Sequence, residues 1–164
     1  MSRLESFIRR MDAQRRLLND AIAEVADKPG VVLELGLGNG RTYDHLRENM
    51  EGRDIYVFER EVRAHPECIP PDSHLYLGHV IDQLHRAAND LGPSAIMVHS
   101  DVGNGDEPAS IDFGKTILAP ALKPLLRPGA RILSDQPVPV DGSIQLELPA
   151  DMHHERYYIY RYLG

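Results

Sequence analysis

Leu4, Ile8, Met11, Leu18, Ile22 and Val25 recur at helical spacing, which predicts an amphipathic helix over residues 3 to 26 with one apolar stripe, ended by Pro29-Gly30. The pattern then changes to short unbroken apolar runs. Val31-Val32-Leu33 with Leu35, Ile55 to Phe58, His74 to Gly78, Ala95 to Val98 and Ala130 to Leu133 each read as a buried strand. Helical stretches lie between several of them. Thr42 to Asn49 turns Tyr43 and Leu46 inward, Val80, Ile81, Leu84 and Leu91 mark a second helix, and 111 to 126 a third, kinked or broken at Pro120 and Pro124. Strands buried on both faces and joined through helices predict a mostly parallel sheet. The run from Arg63 to Pro71 carries three prolines, so irregular chain is expected there. Only residues 137 to 143 precede the strand Ile144 to Leu148, too few for a crossover helix. With a last strand over 156 to 163, the chain should close in an abbreviated antiparallel edge, which a partner subunit could complete.

The first strand runs directly into Gly36-Leu37-Gly38-Asn39-Gly40. Alternating glycines let the backbone take positive φ and lie against a ligand, and a helix resuming at Arg41 points its free N–H groups back at the loop. Spacing separates the candidate loops. The dinucleotide fingerprint G-x-G-x-x-G would need glycine where Arg41 stands, which disfavours a nicotinamide-binding oxidoreductase. The only approach to a phosphate-cradling Walker loop, Gly114-Lys115-Thr116, has Ala109 in place of its first glycine and no strand leading in.

What remains, Glu34-Leu35-Gly36-Leu37-Gly38-Asn39-Gly40, resembles the E/D-x-G-x-G-x-G motif of class I S-adenosylmethionine-dependent methyltransferases. The resemblance covers residues 31 to about 135. It implies a Rossmann-like three-layer α/β/α sandwich with seven strands, S-adenosylmethionine as cofactor, and cofactor-binding residues at Glu34, Gly36, Leu37, Gly38, Asn39 and Gly40. Thr42 and Tyr43 in the following turn could reach the ligand, though Tyr43 could equally be core. Glu59, nineteen residues after Gly40 at the tip of the neighbouring strand, can accept hydrogen bonds from two ribose hydroxyls; Arg60 follows it. The family commonly places Gly-Asp after its third strand. Here the pair is Gly78-His79, with Val80 opening the helix, and all three are expected beside the adenine. Leu126-Arg127-Pro128-Gly129-Ala130 resembles the family's L-[KR]-P-G-G turn, with Ala130 in place of the second glycine.

Ligands of open parallel sheets bind beyond the carboxyl ends of strands where strand order reverses. His99, Ser100 and Asp101 should therefore look into the cleft, Ser100 toward the cofactor, with His99 and Asp101 as candidate bases for the acceptor's proton. His99 has a competing reading as a buried core histidine. A magnesium-assisted arrangement, as in catechol-type methyltransferases, would draw on Asp101 and Asp135 but has Gln136 where that group keeps asparagine, and no metal is expected. His153-His154-Glu155 lacks zinc-ligand spacing and reads as an exposed turn.

Composition narrows the partners. The 164 residues suit one domain, 42% hydrophobic and 26% charged. It divides into an N-terminal helix (1–28), a cofactor-binding core (31–135) and terminal strands (144–163). A net charge of −7 and pI near 5.6 argue against broad nucleic-acid or anionic-membrane binding. A single cysteine, Cys68, and an N-terminus interrupted by arginines fit a cytoplasmic protein. Arg3, Arg9, Arg10, Arg15 and Arg16 on the first helix could steer an anionic substrate or simply be solvated, and the helix could mediate formation of a homodimer. The expected function is methyl transfer to a small-molecule acceptor; the alternative is a non-catalytic S-adenosylmethionine-binding or regulatory protein.

Overall fold

A computed structural model describes residues 1–103, 107–152 and 157–164. The elements in order are α1 (Arg3–Val25), β1 (Val31–Leu35), α2 (Arg41–Asn49), β2 (Ile55–Glu59), β3 (Leu75–Leu77), α3 (Val80–Leu91), β4 (Ala95–Ser100), α4 (Glu107–Phe113), α5 (Ala119–Leu122), β5 (Leu126–Ser134), β6 (Ser143–Leu146) and β7 (Tyr158–Tyr162). The strands form one seven-stranded sheet in the order β3-β2-β1-β4-β5-β7-β6. Neighbours from β3 through β5 are parallel, and β7 runs antiparallel between β5 and β6. The antiparallel edge is thus built by the chain itself.

Sheet pleating sorts the core into two layers. Leu33, Leu35, Phe58, Val98 and Ile132 pack under Leu84 and Ala87 of α3 and Leu122 of α5. Val32, Val57, Met97 and Leu133 face Leu17, Leu18, Ala21 and Val25 of α1 with Leu46 of α2. Between α4 and α5 the helix widens into a π-turn over Gly114–Leu118, where a Cβ on Gly114 would strike the Pro137 carbonyl oxygen. Pro120 opens α5 and Pro124 the 3₁₀ turn after it, so the predicted break falls at the prolines.

A capping box starts α1: Ser2 Oγ accepts from the Glu5 N–H at 3.1 Å and Glu5 Oε2 from the Ser2 N–H at 2.7 Å. Its buried stripe is Ala13, Gln14, Leu17, Leu18, Ala21 and Val25, not one reaching back to Leu4, which is 67% exposed, or Ile8, 56%. The first turns bury no side chain against the described residues, because the helix outruns the sheet. No helix among the described residues is long and apolar enough to cross a membrane. The readings of Asn104 to Asp106, of His153-His154-Glu155 and of a strand beginning at Arg156 lie outside the described residues.

Candidate functional site

Strand order reverses at β1 and β4, and a cleft of about 430 Å³ opens at the carboxyl end of the sheet. Gly36, Glu59, Arg60, Gly78, His79, Val80 and Asp101 line it, together with Phe58, Val102, Gly103, Ala109, Ser110 and Phe113. The glycine turn owes its path to backbone freedom. Gly36 has φ +88°, and a Cβ there would lie 2.6 Å from the Asp101 carbonyl oxygen, so β1 and the loop after β4 approach as only glycine allows.

Glu59 ties the turn to β2. Its Oε2 accepts from the N–H groups of Leu37 at 2.7 Å and Gly38 at 3.1 Å, and its Oε1 from those of Arg60 at 2.7 Å and Glu61 at 3.3 Å. The carboxylate therefore holds the loop open in a fixed shape besides facing the cleft. Gly38 and Asn39 are exposed at the tip of the turn, whereas Gly40 is buried against Cys68 and Ala64 of the proline-rich segment. Leu37 and Tyr43 belong to the apolar layer under α1, and Thr42 is half-buried at the start of α2.

Beneath the cleft runs a buried polar chain. Glu34 on β1 and His99 on β4 are each 1% exposed, paired at 2.9 Å between Glu34 Oε2 and His99 Nδ1. Gln14 of α1 puts its amide nitrogen 3.2 Å from His99 Nε2, leaving Nδ1 to donate to Glu34. Burial alone would lower the His99 pKa, but the adjacent Glu34 carboxylate, with Asp101 and Asp135 behind it, turns the net shift upward. His99 and Ser100, the latter fully buried, lie under the cleft rather than on its wall. The strand pleat sends His99 to the α1 side, where Gln14 covers it.

Asp101 opens into the cleft, and Asp135, just past β5, hydrogen-bonds to it. Burial first, then the Asp101 charge and the hydrogen bond with it, push Asp135 up to about 7, against the pull of His99. Asp135 therefore keeps its proton up to about neutral pH. Asp135 was raised from sequence only as a metal-site neighbour. Ala109 and Ser110 escape the sequence reading because α4 begins four residues before the apolar periodicity that signals it, and Phe113 because an aromatic in a predicted helix reads as core. No group of three or more metal-ligating side chains occurs among the described residues.

The donor set suits a nucleoside carrying an amino-acid tail. Glu59 brings a carboxylate to the cleft, with both oxygens already accepting backbone N–H groups, Phe58, Val80 and Phe113 bring apolar surface, and Gly36 leaves the head of the turn without a side chain. An open, mostly parallel sheet with this turn at its switch point defines the class I, Rossmann-like methyltransferases. The sequence matches the family model of S-adenosyl-L-methionine methyltransferases over residues 1–162, and the chain belongs to that family, with S-adenosylmethionine its cofactor. A crystal structure of an S-adenosyl-L-methionine methyltransferase from Silicibacter pomeroyi DSS-3 superposes with a TM-score of 0.90 at 41% identity, covering 98% of both chains. Two more distant structures share the fold. They are the O-methyltransferase TomG of Streptomyces achromogenes in complex with its cofactor (18% identity, 92% and 80% coverage, TM-score 0.53) and the 16S rRNA (adenine(1408)-N(1))-methyltransferase W203A mutant of Catenulisporales acidiphilia (12%, 89% and 91%, TM-score 0.54). No curated protein matches the sequence.

Proposed function

We propose that the protein transfers the methyl group of S-adenosylmethionine to a small cytoplasmic metabolite, with Asp101 as the base that receives the acceptor's proton. The observation that carries this reading is the juxtaposition of Gly36 at the head of the glycine turn, Glu59 that fixes the turn, and Asp101 around one cleft at the strand tips. The bound cofactor supplies an electrophilic methyl carbon, so the protein need not activate the donor. Its residues supply alignment, which for well-oriented partners is worth effective molarities on the order of 10⁵ M or more. Glu59 and the turn fix the nucleoside end, and Gly78, His79 and Val80 border the base.

Of the two candidate bases, Asp101 reaches the cleft. Its pairing with Asp135, which titrates near 7, suits proton uptake at neutral pH. His99 is enclosed between Glu34 and Gln14 and serves to hold the tips of β1 and β4 in register. The net charge of −7 favours a small acceptor over nucleic acid, and one unpaired cysteine suits a reducing compartment.

Calorimetric titration tests the cofactor site. S-adenosylmethionine and S-adenosylhomocysteine should bind and NAD should not. Glu59→Ala should weaken S-adenosylmethionine by the share of a hydrogen-bonded carboxylate, about 1.5 to 3 kcal/mol; unchanged affinity removes Glu59 from the site. A labelled-methyl screen tests transfer: label should enter the small-molecule pool of a cell extract, and label recovered only in RNA, or none at all, refutes the acceptor class or the catalytic reading respectively.

A further inference from the structure

We infer that Arg10, Arg41 and Phe7 form the recognition site for an anionic group, carboxylate or phosphate, on the methyl acceptor. The inference rests on the methyltransferase reading above.

The site follows from where α1 ends. Gln14 meets His99 next to the last residue of β4, while the carbonyls of Val25 and Ala26 at the other end of α1 accept from Arg53. The helix therefore runs antiparallel to the strands, and at about 1.5 Å per residue Arg10 and Phe7 lie roughly 6 and 10 Å beyond the level of His99. That is past the strand tips, on the side where Asp101 opens. Besides burial, the charges of Asp101, then Arg10 and Asp135, act on Tyr157, so Arg10 lies within electrostatic reach of the same side chain as the two carboxylates, outside the lining of the cleft itself.

Three features there are unusual for a merely solvated face. Both guanidiniums sit on one ring, with Arg10 5.7 Å and Arg41 5.9 Å from the Phe7 centroid. Neither has an ion-pair partner among the described residues, whereas Arg15 and Arg16 are neutralised by Asp12 and Asp151. Arg41 also follows the glycine turn directly, and the Asn39 side-chain oxygen, with its amide set to satisfy both groups, accepts from both Arg41 Nη atoms at 3.0 and 3.1 Å. Asn39 is neutral, so it orients the guanidinium without cancelling its charge. In a chain of net charge −7, residues 3–16 hold five arginines against Glu5 and Asp12. Phe7, 41% exposed, adds an apolar surface for the body of the acceptor. A planar guanidinium binds carboxylate or phosphate through paired N–H donors, so two of them select an anion rather than a neutral molecule.

The test uses the full chain saturated with S-adenosylhomocysteine and three probes, benzoate, phenyl phosphate and benzamide, followed by amide and side-chain chemical shifts. Benzoate or phenyl phosphate should shift the signals of Phe7, Arg10 and Arg41, and the one that does so identifies the preferred anion; benzamide should not. Arg10→Gln and Arg41→Gln should each weaken the anionic probe about tenfold or more. Arg127→Gln, at the opposite end of the sheet, should leave it unchanged. Equal response to benzamide, probe shifts elsewhere on the surface, or full binding by both glutamine variants overturns the inference. So does a short RNA oligomer that binds at these arginines in preference to the small anions, its affinity falling steeply with salt. Failure of S-adenosylhomocysteine to bind overturns the underlying methyltransferase reading instead, and is seen before any probe is added.

Discussion

Replacing Asp135 by asparagine should stabilise the protein, by an amount that grows as pH rises from about 4 and is complete above about 7. Asp135 sits half-buried beside Asp101, and its Oδ1 is a buried oxygen with no hydrogen-bond partner. Its pKa rises from 3.8 to about 7 in the fold, chiefly through burial and then through the Asp101 charge. A carboxyl raised in the folded state contributes stability that is fully present below pH 3.8 and lost as pH climbs through about 7. The full difference is worth about 4 kcal/mol, and with water screening at the cleft about 2 to 4 kcal/mol should be recovered. Asparagine mimics the protonated carboxyl and can still donate to Asp101. Urea unfolding at pH 4 should therefore find wild type and Asp135→Asn alike, while at pH 8.5 the variant should gain that amount, or about 5 to 15 °C in Tm. A gap between the two proteins that does not change with pH, or a less stable variant at pH 8.5, would refute the raised pKa of Asp135. Methyl transfer by the same variant should lose any dependence on pH near 7 that comes from the ionisation of Asp135.

The remaining predictions concern the chain under the cleft and the turn above it. Glu34→Ala strands His99 in the core and should cost about 3 to 5 kcal/mol, whereas the double change Glu34→Leu with His99→Leu should restore much of it, because an apolar pair carries no desolvation penalty; chemical denaturation of both decides, and a double variant as unstable as the single one sinks the argument. Gly40→Ala forces φ +87° on a residue with a Cβ pressed into Cys68, and should lower stability by about 1 to 3 kcal/mol and weaken S-adenosylmethionine at least as much as Glu59→Ala does, both readable in one thermal-shift titration.

What could be read from the sequence was what depends on neighbours along the chain. Buried strands announce themselves by unbroken apolar runs, and the Gly36, Gly38, Gly40 spacing with Glu59 one strand later is a pattern two adjacent parallel strands write into contiguous segments. The contacts that were not legible join distant segments. Gln14, Glu34 and His99 meet across α1, β1 and β4, and nothing local to any of them specifies the other two. Arg53 is similar. Its guanidinium caps the carbonyls of Val25, Ala26, Lys28 and Gly30, replacing the basic residue that the last turn of α1 lacks. The misread stripe of α1 has the same origin. Helical periodicity says which face is apolar but not how far the surface beneath it extends, so Leu4 and Ile8 looked like core and are exposed. That mismatch is itself informative: apolar residues continue along a helix beyond the sheet that needs them, next to arginines without an ion-pair partner among the described residues. A helix serving only the core could have ended near Arg10 without loss of burial, since no residue before it is buried. The extra turns carry side chains past the level of the strand tips, the end at which the acceptor site is proposed.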